Sequence, residues 1–224
     1  MCFSVVVALA ALVWGSLPAR AADVVLSIDT AAGRRDISPY IYGYNTDDSA
    51  FVGAHRLTLT RSGGNRWTAH NWENNASNAG SDWYHQNDGY LCPDAPACDQ
   101  PGEAVRRRVR SAFDAGASTI VTVPIQGYVA ADKDGGGDVS QTPDYLDVRF
   151  HDNVARKDAA FVLTPDAGDG SVYQDEFVNW LESTFAHPHT GGAPQIFYCL
   201  DNEPSLWPST HPRIHPDATT YADL

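Results

Sequence analysis

Lysine and arginine are few in this sequence: 15 stand against 28 aspartates and glutamates, a formal net charge of −13 over 224 residues. An acidic chain repels phosphate backbones and anionic lipid, so nucleic-acid and membrane-surface partners are excluded and neutral substrates are favoured. No internal repeat or low-complexity tract is present, and the only long apolar run lies at the amino terminus. No Gly-rich phosphate-binding fingerprint follows any predicted strand, which argues against a dinucleotide-binding sheet. With 43% hydrophobic and 19% charged residues, the composition excludes disorder, collagen and a multi-span membrane protein.

What is there begins with a leader. Met1–Leu17 is apolar and runs into Pro18-Ala19-Arg20-Ala21-Ala22-Asp23. That pattern predicts a secretory signal peptide over 1–21, and a secreted, extracellular protein, although no Lys or Arg precedes the apolar run. Cysteine is scarce as well, with 4 in all. In an exported chain, Cys92 and Cys98, which bracket the segment CPDAPAC, are expected to close a small disulfide ring. The rival metal site finds no further Cys or His at ligand spacing. Cys199 sits in an apolar run and reads as a small buried hydrophobe.

Alternation predicts strands at 24–30, 40–44 and 55–60, then buried strands at 118–125 and 195–200. Helical spacing of apolar residues predicts helices over 103–115 and 172–185. Arg106, Arg107, Arg108 and Arg110 belong to the first of these, and in so acidic a chain they read as a solvated helix surface. The stretches 66–102 and 126–170 show no sustained period and read as long functional loops. Short apolar strands alternating with amphipathic helices mean an α/β fold with parallel pairing. The polar, Trp-rich segments follow strand carboxyl ends, where a (β/α)8 barrel builds its active site.

Two blocks carry chemistry. Leu200-Asp201-Asn202-Glu203-Pro204 places a carboxylic acid at the mouth of a buried strand. Partial desolvation there would raise its pKa toward that of a general acid, and the Asn202 amide is suited to a sugar hydroxyl. A solvated turn is the competing reading of Glu203. The block Gly63–Asn75 supplies Asn65, Arg66, Trp67, Trp72, Glu73 and Asn74; Trp83 and Trp207 lie in further polar loops. Planar amides, a cation and indoles are the groups that grip sugars, although a loop Trp also commonly fills a packing gap. Asp132, Asp134 and Asp138, in a Gly-rich loop, are a calcium candidate that lacks the bidentate Glu of an EF-hand, and a solvated acidic turn competes with it. No other metal or cofactor is expected. The sequon Asn75-Ala76-Ser77 is discounted as a glycosylation site because it lies in the suspected cleft.

These residues resemble glycoside hydrolase family 44. The resembling stretches are Ser38–Gly43, Gly63–Ser81 with NWENNASNAG at its centre, Gly127–Lys133, and Leu200–Trp207 through His211–Pro216. The resemblance implies a secreted endo-β-1,4-glucanase or xyloglucanase with a (β/α)8 TIM barrel and a β-sandwich appendage. Residues 22–37 would then hold the N-terminal strand of the sandwich, and 38–224 the first half of a truncated barrel. It implies Glu203 as acid/base with Asn202 assisting. Asn65, Arg66, Trp72, Glu73, Asn74, Trp83, Tyr128, Trp207 and His211 are expected to contact a β-linked polysaccharide. The family retains anomeric configuration, so a nucleophilic carboxylate belongs roughly 5 Å from the acid. It is expected on a later barrel strand, beyond Leu224, and none is assigned here. A carbohydrate-binding protein without hydrolysis, or a mannanase or xylanase on the same barrel, are the alternatives.

Overall fold

The computed structural model describes residues 25–185 and 194–224, in two units, Met1–Asp36 and Ile37–Leu224. The expected signal peptide lies outside the described residues. In the first unit, residues 25–29 form no strand, contrary to expectation, and a turn follows in which Asp29 Oδ1 accepts from the Ala31 amide at 2.9 Å. Alternation alone does not make a strand. Val25, Leu26 and Ile28 are exposed, so among the described residues their apolar side chains find no cover that would favour a strand.

The second unit begins with a turn at Ser38–Ile41, closed by Ile41 N–H to Ser38 C=O at 3.2 Å, which cuts the expected strand at 40–44 down to β1, Gly43–Tyr44. Helix α1, Ser49–Ala54, was not expected; Asp48 caps it by accepting from the Phe51 amide at 3.0 Å. It displaces the next strand to β2, Leu59–Ser62, two residues beyond the expected 55–60 at its far end. The supposed loop 66–102 holds the rest of α2, Asn65–Thr68, and a short antiparallel pair, β3 Ser77–Asn78 and β4 Asn87–Asp88. Then α3, Glu103–Asp114, leads into β5, Ser118–Val123. The second supposed loop contains β6 Tyr128–Ala130, α4 Tyr145–Arg149 and β7 Phe150–Val154. After it come β8 Ser171–Tyr173, α5 Gln174–Thr184, β9 Ile196–Leu200 and α6 Trp207–Thr210. These short strands escaped notice because a strand of two or three residues shows no period.

The main sheet has the order β1-β2-β5-β9, all parallel, so sequence order and spatial order coincide. Leu59 pairs with Ser118 and Thr119 with Ile196. A second sheet, β6-β7-β8, is mixed, with β6–β7 antiparallel and β7–β8 parallel. Buried hydroxyls tie the centre of the main sheet together: Thr60 Oγ1 donates to Thr119 Oγ1 at 2.9 Å, and Thr122 Oγ1 to the Ser62 carbonyl at 2.7 Å.

The larger core gathers Ala104, Val105 and Val109 of α3, Val121 of β5, and Phe177, Trp180 and Leu181 of α5 around Trp67 and Trp72. Trp72 stacks on Phe177 with ring centroids 5.6 Å apart and meets Trp180 at 5.9 Å. Gly102 makes this closure possible. Its φ is +72°, and a Cβ there would lie 2.2 Å from the Trp180 ring, while its N–H donates to the Trp72 carbonyl at 2.6 Å. The arginines of α3 face outward as expected, Arg106 and Arg107 pairing with Glu103, except Arg108, whose guanidinium lies 4.9 Å from the Trp67 ring. Burial lowers the pKa of Arg108. Among the described residues no helix is long and apolar enough to cross a membrane.

Candidate active site

Because β1, β2, β5 and β9 run parallel, their carboxyl ends open on the same side. Asn45 follows β1, Gly63-Gly64-Asn65 follow β2, Pro124-Ile125-Gln126 follow β5 and Asp201-Asn202-Glu203 follow β9. Side-chain hydrogen bonds stitch these ends together. Asn45 Nδ2 donates to the Gly63 carbonyl at 3.1 Å. The Ile125 amide donates to Asp201 Oδ2 at 2.8 Å, and the Asn202 amide to Asp201 Oδ1 at 2.7 Å. Burial raises the pKa of Asp201, against the pull of those amides.

The backbone at this corner is strained: Asp201 has φ +60° and Glu203 has φ +47°, neither a glycine. Such positions cost about 1–3 kcal/mol each and persist where surrounding contacts over-determine them. Here the contacts are those of Asp201 and of Asn202, which is buried. Asn202 Oδ1 accepts from Arg61 Nη2 at 2.6 Å and from the Gly64 amide at 3.1 Å. Its Nδ2 donates to Glu203 Oε2 at 3.3 Å. Glu203 itself is exposed, so the desolvation expected from the sequence is not supplied by the described residues.

A cavity of about 250 Å³ opens beside Arg61, Gly63, Gly64, Asn65 and Arg66. It shares Arg66, Asp82 and Tyr90 with a second cavity of about 590 Å³, whose other walls are Trp83, Gln86 and Asp88. The two form one groove. Asn65 Nδ2 donates to Asp82 Oδ1 at 2.7 Å. Arg66 pairs with Asp88 and lies 4.3 Å over the Tyr90 ring. Trp83 is 54% exposed and packs edge-on against Tyr84 at 5.0 Å. Exposed aromatic faces alternating with carboxylates, an amide and a guanidinium suit a neutral polyhydroxylated ligand.

Of the expected contact residues, Asn65, Arg66 and Trp83 therefore meet in the groove, with Asn202 and Glu203 joined to its wall through Gly64 and Arg61. The others do not. Trp72 is 1% exposed and belongs to the core. Trp207 is as deeply buried, 5.0 Å from the His215 ring. Asn74 is bound by its own backbone surroundings, Nδ2 donating to the Ala131 carbonyl and Oδ1 accepting from the Ala76 amide. Tyr128 packs on the smaller core of Ala69, Val139, Phe150 and Ile214. His211 is buried against Gly80, where a Cβ would lie 2.8 Å from its Nε2, and burial pushes its pKa down to about 4. Glu73 is buried too; burial and the charges of Asp169 and Glu176 push its pKa up to about 8.

Cys92 and Cys98 are disulfide-bonded. Asn75 of the sequon is fully buried, its Nδ2 donating to the carbonyls of Cys98 and Gln100 at 3.0 and 2.7 Å. Two of the calcium candidates are held by arginines instead: Arg149 binds Asp132 at 2.7 Å, and Arg213 binds Asp138 at 2.6 Å. Among the described residues no group of three or more His, Cys, Asp or Glu is placed to hold a metal ion. Sequence reasoning missed Arg61, Asp82, Gln86, Asp88 and Tyr90. A cation closing an apolar strand just before Gly63-Gly64 is a signal for Arg61; the others sit in turns that give none.

Comparison with known proteins finds relatives along most of the chain. The sequence profile of "Glycoside hydrolase family 44" matches residues 76–224. Endoglucanase A of Paenibacillus lautus is 44% identical over 93% of this chain, which spans 30% of that protein's length. The solved Paenibacillus polymyxa xyloglucanase from family 44, with xyloglucan, superimposes with a TM-score of 0.76 at 42% identity, over 84% of this chain and 37% of its own. The family 44 endoglucanase of Clostridium thermocellum gives 0.74 at 42% identity, over 88% and 38%.

Proposed function

The chain belongs to glycoside hydrolase family 44, and from that premise we propose that it is the part of a retaining β-glycanase that carries the acid/base and one wall of the substrate groove. The substrate class is a β-1,4-linked glucan such as cellulose-type polysaccharide or xyloglucan. One observation carries the reading: the Asn202–Glu203 pair stands at the carboxyl end of the fourth parallel strand, joined by hydrogen bonds to the wall of a groove with an exposed indole. The protonated carboxyl of Glu203 gives its proton to the glycosidic oxygen as the bond from C1 to that oxygen breaks. A nucleophilic carboxylate, to be supplied by a later strand, holds C1 as a covalent ester. Glu203, now ionised, then takes a proton from the water that hydrolyses that ester. The sequential order β1-β2-β5-β9 supports taking these strands as the first half of a (β/α)8 barrel. The apolar leader and the disulfide support export.

The test is Glu203→Gln in the full-length protein. Hydrolysis of a soluble β-glucan is expected to fall by a factor of about 100 to 10,000, the usual worth of general acid–base catalysis. The loss should be much smaller in the glycosylation step of a dinitrophenyl glycoside, whose leaving group departs without a proton. An ordinary rate on β-glucan removes Glu203 from the acid/base role. Groove binding with no hydrolysis by the unaltered full-length protein would favour a carbohydrate-binding module instead.

A further inference from the structure

The geometry points to Arg61 as the positioning residue that fixes the orientation of the Asn202 amide, and through it the carboxyl of Glu203. This rests on the reading of Glu203 as the acid/base. Arg61 is the third residue of β2, in register with Ile120 of β5 and, through it, with Phe197 of β9. Those three side chains share one face of the sheet.

From there Arg61 Nη2 donates to Asn202 Oδ1 at 2.6 Å, and the Gly64 amide donates to the same oxygen at 3.1 Å. Two donors, one of them charged, leave the Asn202 amide a single orientation. Turned over, it would present N–H groups to two N–H donors. In the orientation they enforce, Nδ2 donates to Glu203 Oε2 at 3.3 Å. One carboxyl oxygen is thereby occupied by a donor, and the acid proton is confined to the other, Oε1. Charge-assisted bonds are roughly twice as strong as neutral ones, so the guanidinium is the larger of the two restraints.

Gly63 is the second half of the device. A Cβ there would lie 2.3 Å from Arg61 Cζ and 2.6 Å from its Nη2, so the guanidinium rests directly over the glycine. Gly63 does not adopt a positive φ, so it is the missing side chain that matters at this position. A methyl at 63 must push the guanidinium off Asn202.

The experiment compares Arg61→Ala, Arg61→Lys and Gly63→Ala in the full-length protein, each on a β-glucan and on a dinitrophenyl glycoside. If Arg61 positions the proton donor, Arg61→Ala lowers kcat on β-glucan by about tenfold or more, a part of the general-acid contribution, with KM little changed. On the activated glycoside the loss in kcat/KM, which reports the glycosylation step alone, stays within a factor of about 3, because departure there needs no acid. Arg61→Lys, which keeps a charged donor, recovers part of the loss, and Gly63→Ala reproduces it. Equal losses on both substrates, or no loss, overturn the inference. Should Arg61→Ala fail to fold by circular dichroism, Gly63→Ala and Arg61→Lys decide by the same criterion. Glu203→Gln run alongside separates the two claims. If it lacks the leaving-group dependence, the acid/base reading itself fails; if it has it and the Arg61 and Gly63 variants do not, only the positioning role falls.

Discussion

Trp72 and Trp83 come from one aromatic-rich, amide-rich stretch, and the fold sends them to opposite places. Trp72 is 1% exposed between Phe177 and Trp180, whereas Trp83 is 54% exposed on the groove wall. The block around Trp72 follows the same division: Asn71, Asn74 and Asn75 all have their amides engaged by backbone carbonyls. Around Trp83, Asp82 and Tyr90 are exposed and, with Asp88 paired to Arg66, line the groove. Residue type alone does not separate a scaffold from a binding surface. What separates them is whether a distant helix, here α5, covers the ring.

The sharpest way to break this comparison is to truncate both indoles in the full-length protein. Trp72→Ala should cost about 3–5 kcal/mol, the range for a large aromatic removed from a packed core, read as a fall in the denaturation midpoint. Trp83→Ala should leave the midpoint within about 0.5 kcal/mol, as surface substitutions do. If Trp72→Ala melted like the unaltered protein and raised KM instead, the assignment of the two rings would be reversed.

A second test concerns Glu73, the acid beside Trp72. Its folded pKa is pushed up to about 8 from an ordinary 4.5, mainly by burial. The folded state therefore holds a proton that the unfolded chain gives up, and stability from this source is full below about pH 4.5 and falls as pH rises toward about 8. Glu73→Gln cannot ionise, so its melting temperature should decline less steeply than that of the unaltered protein across that window. Parallel declines would show that Glu73 ionises freely in the fold. The smallest effect belongs to the groove. Loss of the Trp83 ring should weaken stacking by about 1 kcal/mol, roughly a fivefold rise in KM on long β-glucans with kcat held. Unchanged KM on every polymer tested would make Trp83 a bystander.

What the sequence made legible was local. Helix α3 and strand β5 fall within two residues of the expected 103–115 and 118–125, because Val105, Val109 and Ala112, or the run STIVTV, carry their own period. Glu203 and Asn202 were legible as a turn closing an apolar strand, but that strand, expected to be buried, is half exposed as β9, with Leu200 62% exposed. The fate of Trp72 was not, since its cover, Phe177 and Trp180, comes from α5, far along the chain. His211 failed for a like reason, since Gly80, far back along the chain, lies against it. Tyr90 and Asp88 went unseen because nothing in a turn announces which way its side chains will face. Arg61 stood in view as a charge ending an apolar strand, yet its meaning depended on Asn202, which only the parallel pairing of β2, β5 and β9 brings near.

Asp201 carries a consequence for anyone recombining this chain with its relatives. Its Oδ2 accepts the amides of Ile125 and Gln126, from the loop after β5, and its own amide donates to the Val123 carbonyl. Its Oδ1 holds the amide of Asn202. The loop that follows β5 and the loop that bears Glu203 are thus one mechanical part built from two stretches of sequence. A graft that imports 201–204 without 124–126 would leave a carboxylate facing amides of the wrong height or length. The two loops are a single cassette, to be exchanged together or left alone.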